Sequence, residues 1–284
     1  MKLIDLHTHS TASDGTLAPA ALAAEAAKAG LAAVALTDHD TVDGLPEFLS
    51  AATDHGPELV PGVEISTHRP GGGPMHMVGL WIDPHDPGLK QGLAWMQRAR
   101  DQRNPKIAAK LQALGLDISM EEVAALAPGQ VGRPHFARAL VNKGLVSNTS
   151  EAFSRYLKRG APGYVGKERM NPDEALRLIR SAGGLPVLAH PGLLDMSPAV
   201  LEELVTRLKD QGLMALEAYY SEHNPAQERQ FKGLAARLGL ALSGGSDFHG
   251  AAKPDIRLGV GLGTLRVPAE LLAGLKEKLN RQQL

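Results

Sequence analysis

The chain has 284 residues, a formal net charge of −1, no cysteine and a hydrophobic fraction of 43%, which fits one large globular domain with or without an insertion. The absence of cysteine excludes disulfides and thiolate metal ligands, and the near-neutral charge argues against a general nucleic-acid coat protein. No apolar run approaches the ~20 residues of a membrane-spanning helix and no signal-peptide pattern opens the chain, so we expect a cytoplasmic protein with no membrane association.

Strand-like apolar runs alternate with helical stretches along most of the chain. The predicted strands cover 2–7, 32–37, 58–65, 75–82, 185–190, 213–219 and 240–245. The predicted helices between them cover 18–29, 44–54, 172–182, 198–211, 225–238 and 268–280. Several strands are apolar throughout, as is typical of strands that are covered on both faces in a parallel sheet. The alternation predicts an α/β barrel with seven strands.

One connection, from about residue 83 to 184, is much longer than a single crossover helix needs. Its predicted helices are 88–113, 119–127, 133–143 and 149–158. We therefore expect a helical insertion at 86–167 that forms a lid over the strand ends, with 1–85 and 168–284 forming the barrel. Residues 98–169 carry thirteen Lys or Arg against six Asp or Glu, a net charge of +7. This excess indicates an anionic substrate, although a solvated helical face explains any single basic residue equally simply.

Nine side chains that could hold metal ions follow the predicted strands one after another. The C-terminal ends of barrel strands converge on one rim, so we expect these side chains to lie close together. They are His7, His9, Asp14, His39, Glu64, His76, His190, Asp247 and His249. Imidazole and carboxylate ligands without thiolate suit Zn, Mn or Fe in a hydrolytic site. Nine ligands exceed the needs of one ion, so the pattern predicts a cluster of two or three.

Each of these motifs also has a simpler explanation. His7 and His9 alternate on a strand, which directs both imidazoles to one side, but an isolated pair of this kind is also found on surfaces. His76 lies in an apolar run, where a single histidine is more often a core residue. Asp38 and Asp40 flank His39 and are interpreted either as turn residues or as carboxylates that orient the histidines. The complete set, rather than any single motif, predicts the metal site.

The ordered motifs resemble the PHP (polymerase and histidinol phosphatase) family over essentially the whole chain. They are His7-Thr8-His9, Asp14-Gly15, Thr37-Asp38-His39-Asp40, Gly62-Val63-Glu64, His76, Ala189-His190-Pro191 and Ser246-Asp247-Phe248-His249. The resemblance implies a distorted (β/α)7 barrel with a trinuclear Mn, Zn or Fe cluster that hydrolyses phosphoesters. It also implies three ligand sets: His7, His9, Glu64 and Asp247 for the first ion; Glu64, His76 and His190 for the second; Asp14, His39 and His249 for the third.

Three further stretches resemble a stand-alone subgroup of this family with a helical lid. They are Gly132-Arg133-Pro134-His135-Phe136-Ala137-Arg138, Tyr164-Val165-Gly166-Lys167 and Tyr219-Tyr220-Ser221-Glu222-His223-Asn224, with Gly166 where the pattern has proline. The resemblance implies removal of the 3′-phosphate from nucleoside 3′,5′-bisphosphates, or trimming of short RNA from its 5′ end.

Basic residues of the insertion are the predicted substrate contacts. We expect Arg133, His135 and Lys167 to contact phosphate, since Arg can donate two parallel hydrogen bonds to it and Lys acts as a point charge. The segment Arg103-Asn104-Pro105-Lys106 opens or kinks a helix and could hold a second phosphate through Arg103, Asn104 and Lys106. His223 is interpreted either as the general acid for the leaving alkoxide or as a surface residue before a helix.

The sequence thus predicts a phosphomonoesterase that cleaves a nucleoside 3′,5′-bisphosphate (pAp to AMP and phosphate). Two or three ions, with Mn²⁺ in the active form and Zn²⁺ or Fe²⁺ as alternatives, would activate a bridging hydroxide that attacks phosphorus. The alternatives are a 5′-to-3′ exonuclease on short RNA, a histidinol phosphatase and a non-catalytic module, which the complete ligand set opposes. We expect a small anionic nucleotide as the partner, with short RNA as a second option and no obligate protein partner. Aromatic residues make up only 4% of the chain, which favours a short ligand.

Overall fold

The computed structural model describes residues 2–166 and 168–282. Within this part of the chain, seven strands form one sheet in which each strand pairs with the next along the sequence. The strands are β1 (Ile4–Asp5), β2 (Ala33–Leu36), β3 (Glu58–His68), β4 (Pro74–Leu80), β5 (Leu185–Leu188), β6 (Ala215–Tyr220) and β7 (Ala241–Gly245). The sheet curls until its two edge strands, β1 and β7, lie side by side. Hydrogen bonds join the two edges: Leu6 N donates to Gly244 O at 3.1 Å, and His9 N donates to Phe248 O at 2.9 Å. The predicted distorted seven-stranded barrel is confirmed.

The parallel sheet that the apolar strands indicated does not extend to β4. This strand pairs antiparallel with both β3 and β5, whereas the other neighbouring strands are parallel. The reason is the short connection between β3 and β4, since a parallel pair needs a crossover of a dozen or more residues. Gly71, Gly72 and Gly73 all have positive φ in this turn, which side chains with a Cβ rarely adopt. The N-terminal end of β4 therefore lies on the same rim as the C-terminal ends of the parallel strands.

Alternation along the strands separates the apolar residues into two layers. On β2, Ala33 and Ala35 pack in a cluster inside the barrel, and Val34 and Leu36 pack in a second cluster beneath the surrounding helices. Leu275 of the C-terminal helix is fully buried in the inner cluster, at the end of the barrel that Ile4 and Val267 also line. The barrel is therefore a packed core, and many buried polar side chains follow its strands at the opposite rim.

The barrel helices lie close to their predicted positions. They are α1 (Pro19–Lys28), α2 (Leu45–Ser50), α7 (Pro172–Ser181), α8 (Pro198–Asp210), α9 (Pro225–Leu238) and α10 (Leu271–Gln282). None of the helices in the described ranges is both long and apolar enough to cross a membrane.

The predicted insertion contains α3 (Pro87–Ala113), α4 (Met120–Ala124), α5 (Arg133–Asn142) and α6 (Thr149–Ala152), which continues as a π-helix at Phe153–Leu157. The C-terminal half of α3 and the helices after it share an apolar cluster that includes Leu111, Phe136 and Leu140, each fully buried, whereas Leu89 and Met96 of α3 pack in the cluster beneath the barrel helices. A separate core supports treating 86–167 as a small domain, although its boundaries stay a prediction. Pro105 does not open a helix, because it lies inside the continuous helix α3.

Candidate metal centre

Glu64 occupies the centre of the rim, and its two oxygens face different histidines. Glu64 Oε2 lies near three ring nitrogens: His7 Nε2 at 3.3 Å, His9 Nε2 at 3.3 Å and His39 Nδ1 at 2.9 Å. Glu64 Oε1 lies near two others: His76 Nδ1 at 2.8 Å and His190 Nε2 at 3.0 Å. His76 Nδ1 and His190 Nε2 are themselves 3.3 Å apart. One carboxylate therefore lies between two groups of imidazoles, the arrangement that a bridging ligand requires.

Two aspartates extend this arrangement on the side of His9. Asp247 Oδ1 is 3.2 Å from His9 Nε2, and its Oδ2 accepts hydrogen bonds from Tyr220 Oη at 3.0 Å and Lys253 Nζ at 2.6 Å. Asp14 Oδ1 is 3.2 Å from His249 Nε2, and Asp14 Oδ2 is 4.0 Å from His39 Nε2. All nine predicted side chains are thus brought together in one cluster.

The sequence predicts that the ligands lie at the C-terminal ends of strands, and this placement is wrong for His76. His76 is the third residue of β4, near its N-terminal end, and reaches the cluster because β4 is antiparallel. Glu64 lies inside β3, which continues to His68, rather than at its end. His7 and His9 lie just beyond the short strand β1.

The residues present fit metal ions. Within the described ranges, several buried atoms of the cluster have no hydrogen-bond partner, among them His7 Nε2, both ring nitrogens of His9, His39 Nδ1, Glu64 Oε2 and His190 Nδ1. Buried polar atoms are normally paired, so such a group indicates a ligand set. Four groupings have ligand atoms within 4.8 Å of one another: His9, Asp14, His39 and His249; His7, Glu64 and His190; His7, His9 and Asp247; His39, Glu64 and His76. They resemble the predicted sets for the first and third ions, while His39 belongs to two groupings rather than one.

The charges of the cluster stabilise one another. Burial opposes ionisation of Glu64, but His39, His76 and His7 hold the pKa of its carboxyl well below the usual value. Burial likewise opposes protonation of His7, but Glu217 and Glu64 raise its pKa well above the usual value. Burial lowers the pKa of His76 to about 4 despite the opposing effect of Glu64. The neighbouring imidazoles therefore favour the ionised form of Glu64, which is the form that binds cations.

The backbone at this rim adopts strained conformations. Asp40, His190 and Asp247 have φ of 54°, 27° and 57°, a region that residues other than glycine rarely adopt. Hydrogen bonds hold each one, since Asp40 N donates to Glu64 O at 2.9 Å, Asp247 N donates to His7 O at 2.9 Å, and His190 N donates to a Glu217 oxygen at 2.6 Å. Close packing adds to this: a Cβ at Gly245 would lie 2.4 Å from His7 Cβ. Neighbouring strands thereby fix the directions of the ligands.

A cavity of about 460 Å³ separates the cluster from the insertion. Asp14, His39, His76 and His249 line it on the barrel side. The basic residues that line it are Arg100, Arg103, Arg133, Arg138, Arg169 and Lys253, and the aromatic residues are Phe153 and Tyr164. Burial and the neighbouring charges of Arg100, Arg133 and Arg169 lower the pKa of Arg103 to about 9. The cavity therefore combines a ligand-rich wall with a strongly basic one.

Two of the predicted substrate contacts, Arg133 and Arg103, line this cavity. The Arg133 guanidinium lies 5.8 Å and 5.6 Å from the ring centres of Phe153 and Tyr164, and its Nη1 donates to Leu157 O at 3.0 Å. Arg103 donates from Nε and Nη2 to Asn104 Oδ1, at 3.1 and 2.7 Å. Asn104 thus orients Arg103.

Asn104 does not line the cavity, and the other three predicted contacts have different positions. Lys106 is exposed on α3 and does not line the cavity. His135 is 1% exposed and also absent from the lining, and its Nδ1 accepts a hydrogen bond from Gly132 N at 2.9 Å at the start of α5. Lys167 lies outside the described residues. The predicted phosphate contacts of these three residues stay predictions.

His223 and Asp40 were predicted as residues that assist catalysis. His223 Nε2 accepts from Gly192 N at 3.1 Å, and its Nδ1 donates to Ala218 O at 3.0 Å, so both nitrogens bond the backbone. Burial also lowers the pKa of His223. This arrangement directs no proton at the cavity and gives no support to a role as general acid. Asp40 accepts from Ser66 N at 2.7 Å and from Arg100 Nε at 3.2 Å, which connects the loop after β2 to the insertion.

Several residues of the site were missed by sequence reasoning. Glu217 and Tyr220 bond the ligands from β6, Lys253 bonds Asp247, and Arg100 and Arg169 line the cavity. Glu217, like Glu64, is a carboxylate inside an apolar strand, and this pattern in the sequence could have identified it as a residue of the site. Arg100 and Arg169 belong to the recognised basic segment, but no local pattern distinguishes them from the exposed basic residues there.

Comparisons with known proteins agree with this geometry. A family model described as the PHP domain matches residues 5–167. A 3′,5′-nucleoside bisphosphate phosphatase from Chromobacterium violaceum is 38% identical over 251 residues, which cover 88% of each chain. A 5′-3′ exoribonuclease from Haemophilus influenzae is 38% identical over 248 residues, 87% of this chain and 90% of that protein. The structure of an amidohydrolase from Chromobacterium violaceum, with bound sulfate and no metal, superposes with a TM-score of 0.88 at 34% identity, covering 97% of this chain and 96% of that one.

Proposed function

This chain belongs to the PHP domain family, and on that premise we propose that it is a metal-dependent phosphomonoesterase acting on nucleoside 3′,5′-bisphosphates. It removes the 3′-phosphate and releases a nucleoside 5′-phosphate. One observation carries this proposal: the same cavity is lined by four side chains of the ligand cluster, Asp14, His39, His76 and His249, and by five arginines. A substrate with two separate phosphates matches both walls, and the name of the Chromobacterium relative supports this substrate class.

The nine ligands would hold two or three divalent ions, and we propose Mn²⁺ for the active form, with Zn²⁺ or Fe²⁺ as alternatives. Ions in such a site supply a polarised water as nucleophile and neutralise charge that develops on the phosphoryl oxygens. Glu64 would bridge, because each of its oxygens faces a different group of imidazoles. Asp247 would bind through Oδ1, because Tyr220 and Lys253 already donate to Oδ2.

The protein's own residues orient the substrate between these walls. Arg103, Arg133 and Arg169 would hold the 5′-phosphate, since Arg169 Nε is buried without a hydrogen-bond partner and Arg103 is only 5% exposed. A group of buried and partly buried arginines has a strong electrostatic demand for an anion. Lys253 lines the cavity beside Asp247 and adds positive charge close to the reacting phosphoryl group. The insertion at 86–167 would thus act as a lid that recognises the non-reacting end of the substrate.

A second candidate function is trimming of short RNA from its 5′ end. The exoribonuclease from Haemophilus influenzae is as similar to this chain as the phosphatase is, at 38% identity in both cases. The same arrangement serves this reaction, because a 5′-phosphate on the arginines leaves the next phosphate, on the 3′ side, at the ligand cluster. The two functions share a site and differ in whether a phosphodiester is accepted. The cytoplasmic location stays a sequence-based proposal.

The test measures products from a panel of substrates with the Mn²⁺-loaded protein. The panel contains pAp, 3′-AMP, 5′-AMP, histidinol phosphate and a short RNA with a 5′-phosphate. We expect the highest kcat/KM for pAp. The Glu64→Gln variant, purified in the same way, should be inactive and controls for contaminating phosphatases. Preference for 3′-AMP or histidinol phosphate would contradict the bisphosphate proposal. A higher kcat/KM for the RNA, with release of 5′-mononucleotides, would favour the second candidate.

A further inference from the structure

Glu217 lies beneath the ligand cluster and bonds two of its histidines at once. It is part of β6 and is 2% exposed. Its Oε1 lies 3.0 Å from His7 Nδ1, and its Oε2 accepts a hydrogen bond from His190 N at 2.6 Å. The described contacts use both oxygens, one for each histidine. Glu217 is not one of the nine predicted ligands, and none of the four ligand groupings includes it.

These two bonds fix the ligands in different ways. A carboxylate accepts hydrogen bonds, so with an ion bound the contact to Glu217 would keep the His7 ring proton on Nδ1 and leave the lone pair of Nε2, 3.3 Å from Glu64 Oε2, for the ion. The bond to His190 acts on its backbone, which has the unusual φ of 27°. That conformation places His190 Nε2 3.0 Å from the other oxygen, Glu64 Oε1. Glu217 therefore fixes one ligand at each oxygen of Glu64, and these two ligands also share one of the four groupings with Glu64.

We propose that Glu217 is a positioning residue that couples the two ion sites on either side of Glu64. This inference rests on the proposed metal centre. Carboxylates that bond a ligating histidine orient the ring and increase its basicity, and their loss typically weakens metal binding ~10- to 100-fold. Because Glu217 serves both sides, its loss weakens two sites together. The grouping of Asp14 with His249, on the far side of His9, does not depend on it.

Glu217→Gln is the informative substitution because it keeps the shape of the side chain. An amide has one oxygen that accepts and one nitrogen that only donates. Whichever way the amide is turned, its nitrogen faces either the Nδ1–H of His7 or the backbone N–H of His190. Two donors cannot bond each other, so one of the two hydrogen bonds is lost. Asp38→Asn is the matched control. Asp38 is also 2% exposed, and its side chain also accepts several hydrogen bonds, but they come from Ser10, which follows His9, and from Ser13, which precedes Asp14.

The experiment counts Mn²⁺ ions per chain by elemental analysis across a series of chelator concentrations. At a concentration where the wild type keeps all its ions, we expect Glu217→Gln to retain two fewer than the wild type and Asp38→Asn to lose at most one. Equal retention by Glu217→Gln and wild type would overturn the inference. So would the loss of a single ion by Glu217→Gln at every chelator concentration.

Thermal unfolding separates positioning from a general structural role. A positioning residue makes Mn²⁺ raise Tm less in Glu217→Gln than in the wild type, because the stabilisation follows ligand affinity. A purely structural residue lowers the Tm of the metal-free protein and leaves the increment unchanged, which would contradict us. In a His190→Ala background, Glu217→Gln should weaken binding less than it does alone, because the bond from Glu217 to the backbone of residue 190 then has no imidazole to position. Should Glu217→Gln fail to fold, Glu217→Asp, which keeps the charge but is one methylene shorter, is measured in the same way.

The outcomes also separate this inference from the proposed function. A wild type that binds ions but does not hydrolyse pAp would overturn the function and leave the role of Glu217 to be decided by the ion counts. A wild type that hydrolyses pAp, with ion retention unaffected by Glu217→Gln, would overturn only the role of Glu217.

Discussion

Glu64 Oε1 lies 2.8 Å from His76 Nδ1, although the two residues belong to neighbouring strands that run in opposite directions. In the pairing of β3 with β4, His76 is opposite Ser66, two residues beyond Glu64. Residues two apart on a strand share a face, so both side chains project towards the same rim. The antiparallel hairpin is therefore the feature that adds an imidazole on the second side of Glu64.

The position of Glu64 predicts that a variant without its carboxylate binds fewer metal ions than a variant without the carboxylate of Asp14. Glu64 approaches five imidazoles, whereas Asp14 approaches His249 most closely, at 3.2 Å. We expect Glu64→Gln to retain at least one Mn²⁺ fewer per chain than Asp14→Asn after desalting, as measured by elemental analysis. Equal retention by the two variants would argue against a bridging role, and full activity of the wild type after thorough chelation would argue against the ions altogether.

The arginine wall predicts selective loss of bisphosphate recognition in Arg133→Ala. If its guanidinium holds the 5′-phosphate, kcat/KM for pAp should fall by roughly 2–4 kcal/mol of transition-state binding, about 30- to 900-fold. Turnover of 3′-AMP, which has no 5′-phosphate, should change far less. Arg98→Ala is the control, because Arg98 is exposed outside the cavity and its loss should cost less than ~0.5 kcal/mol. An unchanged ratio of pAp to 3′-AMP turnover in Arg133→Ala would exclude this contact.

His223 should affect stability at low pH rather than the protonation step. Burial lowers its pKa in the folded protein, while the unfolded chain has the ordinary value of about 6.5. As the pH falls below about 6.5, the unfolded chain gains a proton that the folded state resists, so the folded state loses stability. We expect the free energy of unfolding to fall less steeply between about pH 7 and pH 5 in His223→Gln than in the wild type. If instead kcat of this variant no longer decreased at high pH, as it does in the wild type, His223 would be the general acid.

The sequence predicted the barrel and the nine clustered side chains because both follow local rules. Apolar runs indicated the strands, and polar residues beside them indicated the rim, so seven strands and the position of Glu64 could be predicted. The direction of β4 was missed, since its apolar pattern is the same in either orientation. Glu217 was missed because its role depends on His7 and His190, which are distant in sequence. For His223, the motif indicated a role as general acid, but the structure shows both of its ring nitrogens bonded to the backbone.

The orientation of the substrate is the central claim, and hydrolysis of pAp by the Mn²⁺-loaded protein in ¹⁸O-labelled water tests it most directly. With the 5′-phosphate on the arginines and the 3′-phosphate at the ligand cluster, the products should be 5′-AMP and inorganic phosphate. Because water attacks phosphorus, mass spectrometry should find one ¹⁸O atom in the phosphate and none in the nucleotide. Formation of 3′-AMP would show that the substrate binds in the opposite orientation, and label in the nucleotide would show that the C–O bond is cleaved instead.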